Sequence, residues 1–399
     1  MHNSSDVSLE MTLAWSDGEV HHVDRQYFAK ANLWRDIFPP QMGEPFHEPK
    51  AGDTASCIIP AGELLEPYDA SLIRTIKNSQ FNRRPRKYLS IEPHRGRYYP
   101  RNFLRNVPGV NDDDRRPMRI LDIDEESIRI DLNPPMATYT VEATARIDEI
   151  LPPQAEHGGC CNNFVYEMIQ AGVGMQAVLH DAEVDFLSGD ALARLDEADD
   201  GVFYNKARLV QHLDATCRQH IRTLYHAHLQ PGMQVLDLMS SWVSHFDRKD
   251  GIEVTGLGLN EEELSNNDTL DSYVVHDLNR QPELPFADQT FDLVLCTASV
   301  EYLVKPHEVF DDIARCLKPG GRCIVSFSDR WFPPKAIMLW STLHPFERLG
   351  LVTSYFRAGG GFTDIETLSI RHYPRPADDK YADEQPYSDP VFAVSARKP

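Results

Sequence analysis

The C-terminal half of the chain alternates between strand-like and helix-like segments, and this alternation most constrains the fold. From Gln234 onward, short apolar runs such as QVLDL, EVTGLGL and FDLVLCT are separated by helical signals, NEEEL and PHEVFDDIARCLK among them. Such alternation is typical of parallel strands covered by helices on both faces, so we predict an α/β domain here. Two later runs, 364–370 and 391–396, are predicted to form an antiparallel hairpin at the sheet edge.

Length and charge limit the number of domains and the kind of partner. The chain has 399 residues, 41% hydrophobic and 25% charged, which suits two or three ordinary globular domains. Against 61 Asp and Glu there are 40 Lys and Arg, a formal charge of −21. Such a field repels nucleic-acid phosphates and anionic lipid, so we expect neither nucleic acid nor a membrane as partner.

Targeting and cysteine patterns favour a cytoplasmic protein. The start of the chain lacks a basic stretch followed by an apolar one, and no run of about 18 apolar residues occurs. The seven cysteines are an odd number without C-x-x-C spacing, which is typical of reduced thiols. We therefore expect a cytoplasmic location and no metal site.

The N-terminal part has a different character. Residues 8–150 contain alternating apolar and polar runs between turn signals, which predict β-strands. The stretch 78–116 is rich in Arg and Pro without periodicity, and we expect it to be an exposed loop or insertion rather than core. The Pro152-Pro153 pair predicts a boundary. Apolar positions spaced by three and four predict a helix over 205–229.

Three C-terminal segments resemble successive motifs of class I S-adenosylmethionine-dependent methyltransferases of the type 11 kind. The segments are VLDL at 235–238, LPFADQTFDLVLCTASVEYL at 284–303 and IARCLKPGGRCIVSFS at 313–328. The resemblance implies a Rossmann-like, seven-stranded α/β domain with S-adenosyl-L-methionine as cofactor. We predict three regions: an N-terminal domain over 1–152, a linker and lid region over 153–204, and the methyltransferase domain over 205–399.

The loop after the first predicted strand departs from that family. Ligands of doubly wound sheets bind at the carboxyl ends of the strands, where the family has an acid and a Gly-rich loop. Here Asp237 is followed by LMSSWVSH, with Met239 and Ser241 at glycine positions. Two interpretations are open. In one, Ser240 and Ser241 donate hydrogen bonds to the methionyl carboxylate and Trp242 lies near the sulfonium; in the other, bulky side chains fill the pocket.

The next strand ends supply further cofactor candidates. Gly258 stands where the family has an acid that accepts the ribose hydroxyls. Asn260 could bind those hydroxyls, cap the following helix, or do both. Asp277 matches the position that accepts the adenine amino group, and the Leu278 N–H would face a ring nitrogen. Thr297 matches a position that lines the other side of the cofactor.

A general base is desirable for methyl transfer but not obligatory, because the sulfonium already activates the methyl group. The residue types and positions suggest three candidates, although a lone His is more often a surface or core residue. The candidates are His245, Tyr302 and His212.

A group of methyltransferase-like proteins of bacteria and plants has the same serine-tryptophan loop, which favours a working site. That resemblance implies a lid over the pocket formed by Tyr204, Arg208 and His212, and further site residues after the fifth strand, Arg330, Trp331 and Lys335. A helix N-terminus at Pro334, with Lys335 and Arg330 nearby, could hold an anionic substrate group, or these bases could only be solubilising. The substrate candidates are Tyr204, Arg208, Ser299 and Arg330.

Three N-terminal segments resemble FKBP-type peptidyl-prolyl isomerases of the SlyD kind, over about residues 8–151. The segments are IPAGELLEPYDASLIRTI (59–76), GRYYPRNFLRNVPGV (96–110) and ILDIDEESIRIDLNPPMATYTVEATARIDEI (120–150). The resemblance implies a twisted antiparallel sheet that wraps a short helix. Leu65 replaces the family's pocket aromatic, and Pro134-Pro135-Met136 replaces its His-Leu pair. We expect weak isomerase activity or none.

The first functional hypothesis is a methyltransferase that acts on a small-molecule acceptor, for which a thiol is one option. The FKBP-like part would then be a lid, a dimerisation surface for a homodimer, or a docking module for a protein. Two alternatives stay open: a peptide-binding folding helper with a non-catalytic methyltransferase fold, and a methyltransferase that modifies a recruited protein.

Overall fold

The computed structural model describes most of the chain and divides it into two compact units. Unit 1 comprises residues 1–19, 30–189 and 346–350, and unit 2 comprises residues 20–29, 190–345 and 351–399. The domain boundaries expected after residues 152 and 204 stay a prediction. The described residues are 6–42, 46–63, 66–85, 90–152, 159–180, 182–359 and 361–399.

Unit 1 is built mainly from antiparallel strands in two sheets. The first eight strands of the chain are β1 (Asp6–Ser16), β2 (His21–Asn32), β3 (Thr54–Ile59), β4 (Ile73–Lys77), β5 (Tyr98–Pro100), β6 (Pro117–Ile123), β7 (Ser127–Asp131) and β8 (Val141–Ile150). In one sheet, β8 pairs antiparallel with both β1 and β3. The other sheet has the order β4-β7-β6-β5, with antiparallel neighbours throughout.

The N-terminal part is mainly β, as predicted, but an FKBP-like fold is not confirmed. Between residues 6 and 152, the helices in the described part of the chain are 3-10 turns of three residues each. They do not include a helix that an FKBP-like sheet would wrap. Leu65 lies outside the described residues.

The stretch 78–116 corrects one expectation, because part of it belongs to a hydrophobic core. Phe81, Tyr99 and Leu104 are buried against Ile120 and Ile130 of the smaller sheet. Their spacing along the chain follows neither a strand nor a helix, so periodicity could not reveal them.

Unit 2 contains the α/β sheet that the alternating pattern predicts. Its strands pair in the order β11-β10-β9-β12-β13-β15-β14, and only β15 is antiparallel to its neighbours. The strands are β9 (Gln234–Leu238), β10 (Glu253–Gly258), β11 (Ser272–Val275), β12 (Phe291–Thr297), β13 (Leu317–Phe327), β14 (Thr363–Arg371) and β15 (Val391–Arg397).

The hairpin of β14 and β15 is antiparallel as predicted, but within unit 2 it is not the sheet edge. Residues 21–26 of β2 pair in parallel with β14 and add a strand beyond it. The added strand comes from the far N-terminal part of the chain, so no local signal could place it there.

The helix predicted over 205–229 is shorter in the structure. It begins at Ala215, because the Asp214 side chain caps it by accepting a hydrogen bond from the Cys217 N–H. Its apolar face includes Ile221 and Tyr225, both fully buried. The helices are α1 (Phe164–Gln170), α2 (Asp200–Phe203), α3 (Ala215–His226), α4 (Glu261–Ser265), α5 (Pro306–Cys316), α6 (Met338–Thr342) and α7 (Pro345–Ala358). In the described part of the chain, no helix is long and apolar enough to cross a membrane.

The register of the central strands brings their carboxyl ends to one edge. Leu238 of β9 lies beside Leu257 on one side and Cys296 on the other, and Gly258 lies beside Val275. Chain order reverses between β9 and β12, where the following loops separate and leave a crevice. The residues after these strands are therefore placed around one site.

Asp214 joins α3 to the segment before β15 and generates a stability prediction. Its buried carboxylate also accepts hydrogen bonds from the Ser388 hydroxyl and the Asp389 N–H, and it lies 3.4 Å from Arg375. Asp214→Ala leaves these donors unsatisfied, so we expect the free energy of unfolding to fall by about 3 kcal/mol. Urea unfolding measures the change.

The matched control is Asp288→Ala, which removes an ion pair with Arg315 whose carboxylate side chain is 73% exposed. Exposed ion pairs contribute roughly 0–1 kcal/mol, so this variant should unfold almost like the unchanged protein. Equal losses in the two variants would contradict the role given to Asp214.

Candidate functional site

An open cavity lies at the carboxyl ends of the central strands. It is lined by the loops after β9, β10, β11 and β12 and by residues of segment 200–213, and its empty volume, which includes open solvent at the mouth, is about 1260 Å³. Residues from four strand ends therefore surround one space that is open to solvent. The predicted site residues that line it are Tyr204, Arg208, His212, Asp237, Ser240, Ser241, Trp242, His245, Asn260, Asp277, Leu278, Thr297, Ser299 and Tyr302.

The loop after β9 makes its turn without glycine. Met239 has φ of 55°, in the left-handed region that glycine normally occupies. The next residue, Ser240, donates its N–H to the Leu257 carbonyl at 2.7 Å, and a Cβ at Gly258 would collide with the Ser240 carbonyl oxygen. This close crossing explains the glycine where the family has an acid. Met239 and Trp242 line the cavity and leave it open.

The two serine hydroxyls of this loop are bound to carboxylates. Ser240 Oγ donates to Asp237 Oδ2 at 2.7 Å, and Ser241 Oγ donates to Glu263 Oε2 at 2.7 Å. A hydroxyl has one proton to donate, so in this arrangement neither serine donates to a ligand. The predicted contact with a methionyl carboxylate would require these hydrogen bonds to be exchanged.

Asp237 is a buried carboxylic acid at the floor of the cavity. Burial raises its pKa to about 6, although hydrogen bonds from Ser244 and Ser240 lower it in part. Loss of hydration disfavours the charged form of a carboxylate, which is the larger effect here. Asp237 is therefore ionised at neutral pH and becomes protonated in mild acid.

Asn260 caps the helix α4, which is one of the two roles predicted for it. Its Oδ1 accepts from the Glu263 N–H at 2.9 Å, and its Nδ2 donates to the Tyr204 carbonyl at 2.6 Å. Both ends of the amide are thus engaged by the protein, but the oxygen keeps a second lone pair and the nitrogen a second proton, so the ribose role stays a prediction.

Glu263 is a site residue that the sequence analysis did not single out. Its carboxylate accepts from the Ser241 hydroxyl and, at 2.7 Å, from the Arg208 N–H, so it joins the loop after β9 to segment 200–213. The sequence NEEEL indicates Glu263 as the carboxylate at the third helical position of a capping box with Asn260, but it gives no signal for the contacts with Ser241 and Arg208.

Asp277 and Leu278 present an acceptor and a donor side by side. Asp277 Oδ1 accepts from the N–H groups of Asn279 and Arg280, at 2.9 and 3.3 Å. Within the described residues, its second oxygen accepts no hydrogen bond and the Leu278 N–H has no acceptor. An acceptor next to a donor is the pattern that complements the amino group and ring nitrogen of adenine, so this pair fits the predicted cofactor.

The three candidate bases differ in protonation. Burial lowers the pKa of His245 to about 4, with nearby arginines adding to the effect, and burial followed by Arg208 lowers the pKa of His212. Burial raises the pKa of Tyr302 well above its usual range, and the phenol oxygen accepts from the Phe332 N–H at 2.9 Å. Both histidines are therefore neutral at pH 7, while Tyr302 keeps its proton.

An ion-paired acid holds segment 200–213 in place. Asp200 is buried, lies 2.8 Å from Arg194 and 3.1 Å from Lys335, and accepts a hydrogen bond from Asn279 at 2.9 Å. Asp200, Asn279 and Phe332 all line the cavity, and the sequence analysis missed them as site residues. Their signal was weak because each is an ordinary residue in an acidic or aromatic stretch.

The anion site expected after the fifth strand is not formed. Lys335 is fully buried and pairs with Asp196 and Asp200. Arg330 pairs with Asp389 at 3.0 Å and is not among the cavity residues. The nearby helix begins at Met338, so it has no N-terminus at Pro334. Both cations are neutralised by carboxylates that the sequence does not place beside them.

Comparisons with known proteins find similarity to methyltransferases. Residues 239–325 match a family model described as a methyltransferase domain. An uncharacterized methyltransferase of Mycolicibacterium vanbaalenii is 32% identical over 116 residues, 29% of this chain and 36% of the relative. One of Mycolicibacterium gilvum is 29% identical over 113 residues, 28% of this chain and 36% of the relative. The chain thus spans about a third of the length of these curated relatives.

Solved structures of methyltransferases also align with part of the chain. A possible histamine N-methyltransferase from Thermotoga maritima is 15% identical, with a TM-score of 0.34, and covers 46% of this chain and 92% of its own. An S-adenosylmethionine-dependent methyltransferase from Mesorhizobium loti is 19% identical, with a TM-score of 0.30, and covers 44% of this chain and 96% of its own.

The strand order and the matched residues together define the C-terminal part. Its parallel strands run in the order β11-β10-β9-β12-β13, and the family match begins in the loop after β9 and ends within β13. The match therefore includes most of the loops that line the cavity. Over residues 239–325 the C-terminal part of the chain matches the methyltransferase domain family, within a Rossmann-like α/β fold, and this match implies S-adenosyl-L-methionine as the cofactor.

Proposed function

We propose that this protein transfers the methyl group of S-adenosyl-L-methionine to a small-molecule acceptor. The observation that carries the proposal is the cavity itself, which brings the predicted cofactor residues and three proton-carrying side chains to one open crevice. A crevice at the reversal of strand order is where sheets of this kind bind their ligands.

Residues on three strand ends would hold the cofactor. The free oxygen of Asp277 and the N–H of Leu278 suit the adenine edge. Asp237 supplies negative charge to a ligand that carries a positive sulfonium, and the Trp242 ring offers an aromatic face to that cation. Thr297, the last residue of β12, also lines the cavity and is a further predicted cofactor contact.

The chemistry asks little of the protein beyond alignment and proton transfer. When bound, the cofactor would supply a methyl group activated by a positively charged sulfur, and the leaving group would be the neutral thioether. The chain has to hold the acceptor in line and receive its proton. His212 and His245 are neutral and can accept a proton, but the pKa of about 4 makes His245 a weak base, so His212 is the better candidate. Tyr302 keeps its own proton and is not suited.

A small acceptor is favoured over a protein because segment 200–213 forms a wall of the cavity. Asp200 anchors this wall through two ion pairs, and Glu263 holds it at Arg208. A protein acceptor would have to reach past this segment. A thiol as acceptor, an FKBP-like docking or lid function, a homodimer and a cytoplasmic location stay predictions.

Cofactor binding is the first test. Isothermal titration of the full chain with S-adenosylmethionine and with S-adenosylhomocysteine should show binding of both. Asp277→Asn keeps an oxygen for the turn but replaces the free acceptor by a donor, so we expect at least tenfold weaker binding, about 1.4 kcal/mol. Trp242→Ala should weaken the binding of S-adenosylmethionine more than that of S-adenosylhomocysteine, because only S-adenosylmethionine carries the sulfonium charge.

Two variants elsewhere serve as controls. Asp288→Asn changes an exposed acid, and Trp34→Ala removes an indole that is 59% exposed; both should bind the cofactor like the unchanged protein. Absence of detectable heat with either ligand at millimolar concentration would remove the proposal.

Methyl transfer itself is tested by mass spectrometry. A small-molecule extract and a protein extract are incubated separately with the full chain and a deuteromethyl cofactor. We expect labelled products in the small-molecule fraction. Label found only in protein would favour the alternative acceptor class.

Cofactor affinity should depend on pH through Asp237. The ionised carboxylate attracts a cationic ligand, and its pKa of about 6 means that this attraction is lost as pH falls through that value. We expect S-adenosylmethionine affinity to be constant between pH 7 and pH 8 and to fall by up to about tenfold per pH unit below pH 6. Asp237→Asn should bind more weakly at pH 7 and lose this slope, and a slope retained in the variant would assign it to another group.

A further inference from the structure

One part of the cavity is rich in aromatic rings, and we call it the aromatic subsite: Phe203, Tyr204, Tyr302 and Phe332. The ring centroids of Tyr302 and Phe332 lie 6.2 Å apart with nearly parallel planes, and the Tyr204 ring meets Tyr302 edge-on at 6.4 Å. Phe203 lies 4.8 Å from Tyr204 and 5.8 Å from Phe332. Three of these residues, Tyr204, Tyr302 and Phe332, line the cavity directly.

A guanidinium group lies against these rings. The Arg208 Cζ is 4.6 Å from the centre of the Phe203 ring, 5.3 Å from Phe332 and 5.6 Å from Tyr204. One nitrogen, Nη2, donates to the Phe203 carbonyl at 3.0 Å. Because the rings hold the guanidinium in a fixed orientation, the Arg208 side chain loses less conformational entropy when a ligand binds.

The charge of Arg208 is not neutralised by a carboxylate. Within the described residues its side chain forms no ion pair, and the contact with Glu263 is made by the main-chain N–H. By contrast, Arg194 and Lys335, whose side chains are buried behind the cavity residue Asp200, both form ion pairs with it. A partly desolvated cation without a counter-ion is unfavourable, so its retention here calls for a ligand that supplies the charge.

Two buried polar atoms in the aromatic subsite lack partners. Arg208 Nη1 and the Tyr204 hydroxyl are both inaccessible to solvent and make no hydrogen bond within the part of the chain that the structure describes. Both residues line the cavity. Buried donors are almost always satisfied in folded proteins, and two orphans in one ligand cavity indicate a ligand with acceptor oxygens.

We propose that Arg208 and Tyr204 bind a carboxylate of the methyl acceptor, and that the acceptor is a small carboxylic acid with a planar, unsaturated body. The guanidinium supplies the opposite charge and a forked donor geometry, while the rings of Tyr302 and Phe332 pack on the planar body. This inference rests on the proposed function, since it names the substrate class of the same cavity.

A carboxylate could also come from the cofactor, whose methionyl group carries one. The ring contacts of Arg208 favour the acceptor, because one of these rings, Phe332, follows β13 and not β9, whose loop is the predicted site of the methionyl group. Ligands with and without the methionyl carboxylate distinguish the two sources, because only one source requires Arg208 to contact the cofactor.

The test compares benzoate with benzamide, which share shape but differ in charge. The full chain, saturated with S-adenosylhomocysteine, is titrated with each by calorimetry or ligand-observed NMR. We expect benzoate to bind at least tenfold more tightly than benzamide. Arg208→Met, which keeps much of the packing on the rings, should abolish this preference, and Tyr204→Phe should reduce it.

Lys206→Gln is the matched control, because it removes the same charge from an exposed position of the same segment. It should retain the preference for benzoate. Circular dichroism and thermal unfolding show whether Arg208→Met is folded; if it is not, Tyr204→Phe and Arg208→Lys decide, with a reduced preference expected in both. A benzoate preference that survives in the folded variants overturns the proposal, as does equal binding, or no binding, of the two probes by the unchanged protein.

A second comparison separates the two carboxylate sources. S-adenosylhomocysteine and 5′-methylthioadenosine, which lacks the methionyl carboxylate, are titrated into the unchanged protein and Arg208→Met. We expect the variant to change both affinities equally. Loss confined to S-adenosylhomocysteine would assign Arg208 to the cofactor and overturn the acceptor proposal. If the unchanged protein does not bind S-adenosylhomocysteine, the proposed function is refuted. A preference for benzoate over benzamide in that case would still show that Arg208 and Tyr204 bind a carboxylate.

Discussion

The cavity depends on one close backbone crossing. The Ser240 carbonyl passes over Gly258 so closely that only glycine fits, and the turn that brings it there requires Met239 in a left-handed conformation. Left-handed backbone is unfavourable for a side chain such as Met, so surrounding structure must hold it. The hydrogen bond from the Ser240 N–H to Leu257 and those from two serines to Asp237 provide that support. The glycine that this crossing requires is therefore Gly258, at the end of β10, and not a residue of the loop after β9.

Buried carboxylates then divide into structural and ligand-facing groups. Asp200 and Asp214 are saturated by cations and hydrogen bonds, and they fix segment 200–213 and α3. Asp237 has only two hydroxyl donors, and Asp277 has an oxygen without a donor in the described residues. The difference is physical, because a carboxylate whose donors are already provided has little to offer a ligand, whereas an incompletely satisfied one does.

The sequence predicts well what depends on local pattern. Alternating runs and the Leu-Lys-Pro-Gly-Gly turn identify the sheet and place Asp237, Asp277 and Thr297 at or just past the carboxyl ends of their strands, because strand ends are read directly from hydrophobic runs. It fails where distant segments decide. Residues 21–26 pair with β14, which lies more than 300 residues later in the sequence. Lys335 forms a buried ion pair with Asp200 and is not free to bind an anion. Neither pairing has a local signal.

The balance of charge in the cavity links cofactor and acceptor. Asp237, Asp277 and Glu263 give the strand-end side a surplus of negative charge, while Arg208 has no carboxylate of its own within the described residues. A cationic cofactor alone would neutralise the first group and leave the guanidinium uncompensated, and an anionic acceptor alone would do the reverse. Since partly desolvated charges are costly when unpaired, the cavity is best satisfied with both ligands present. Such a site stabilises the complex with both ligands, in which methyl transfer can occur, more than either complex with a single ligand.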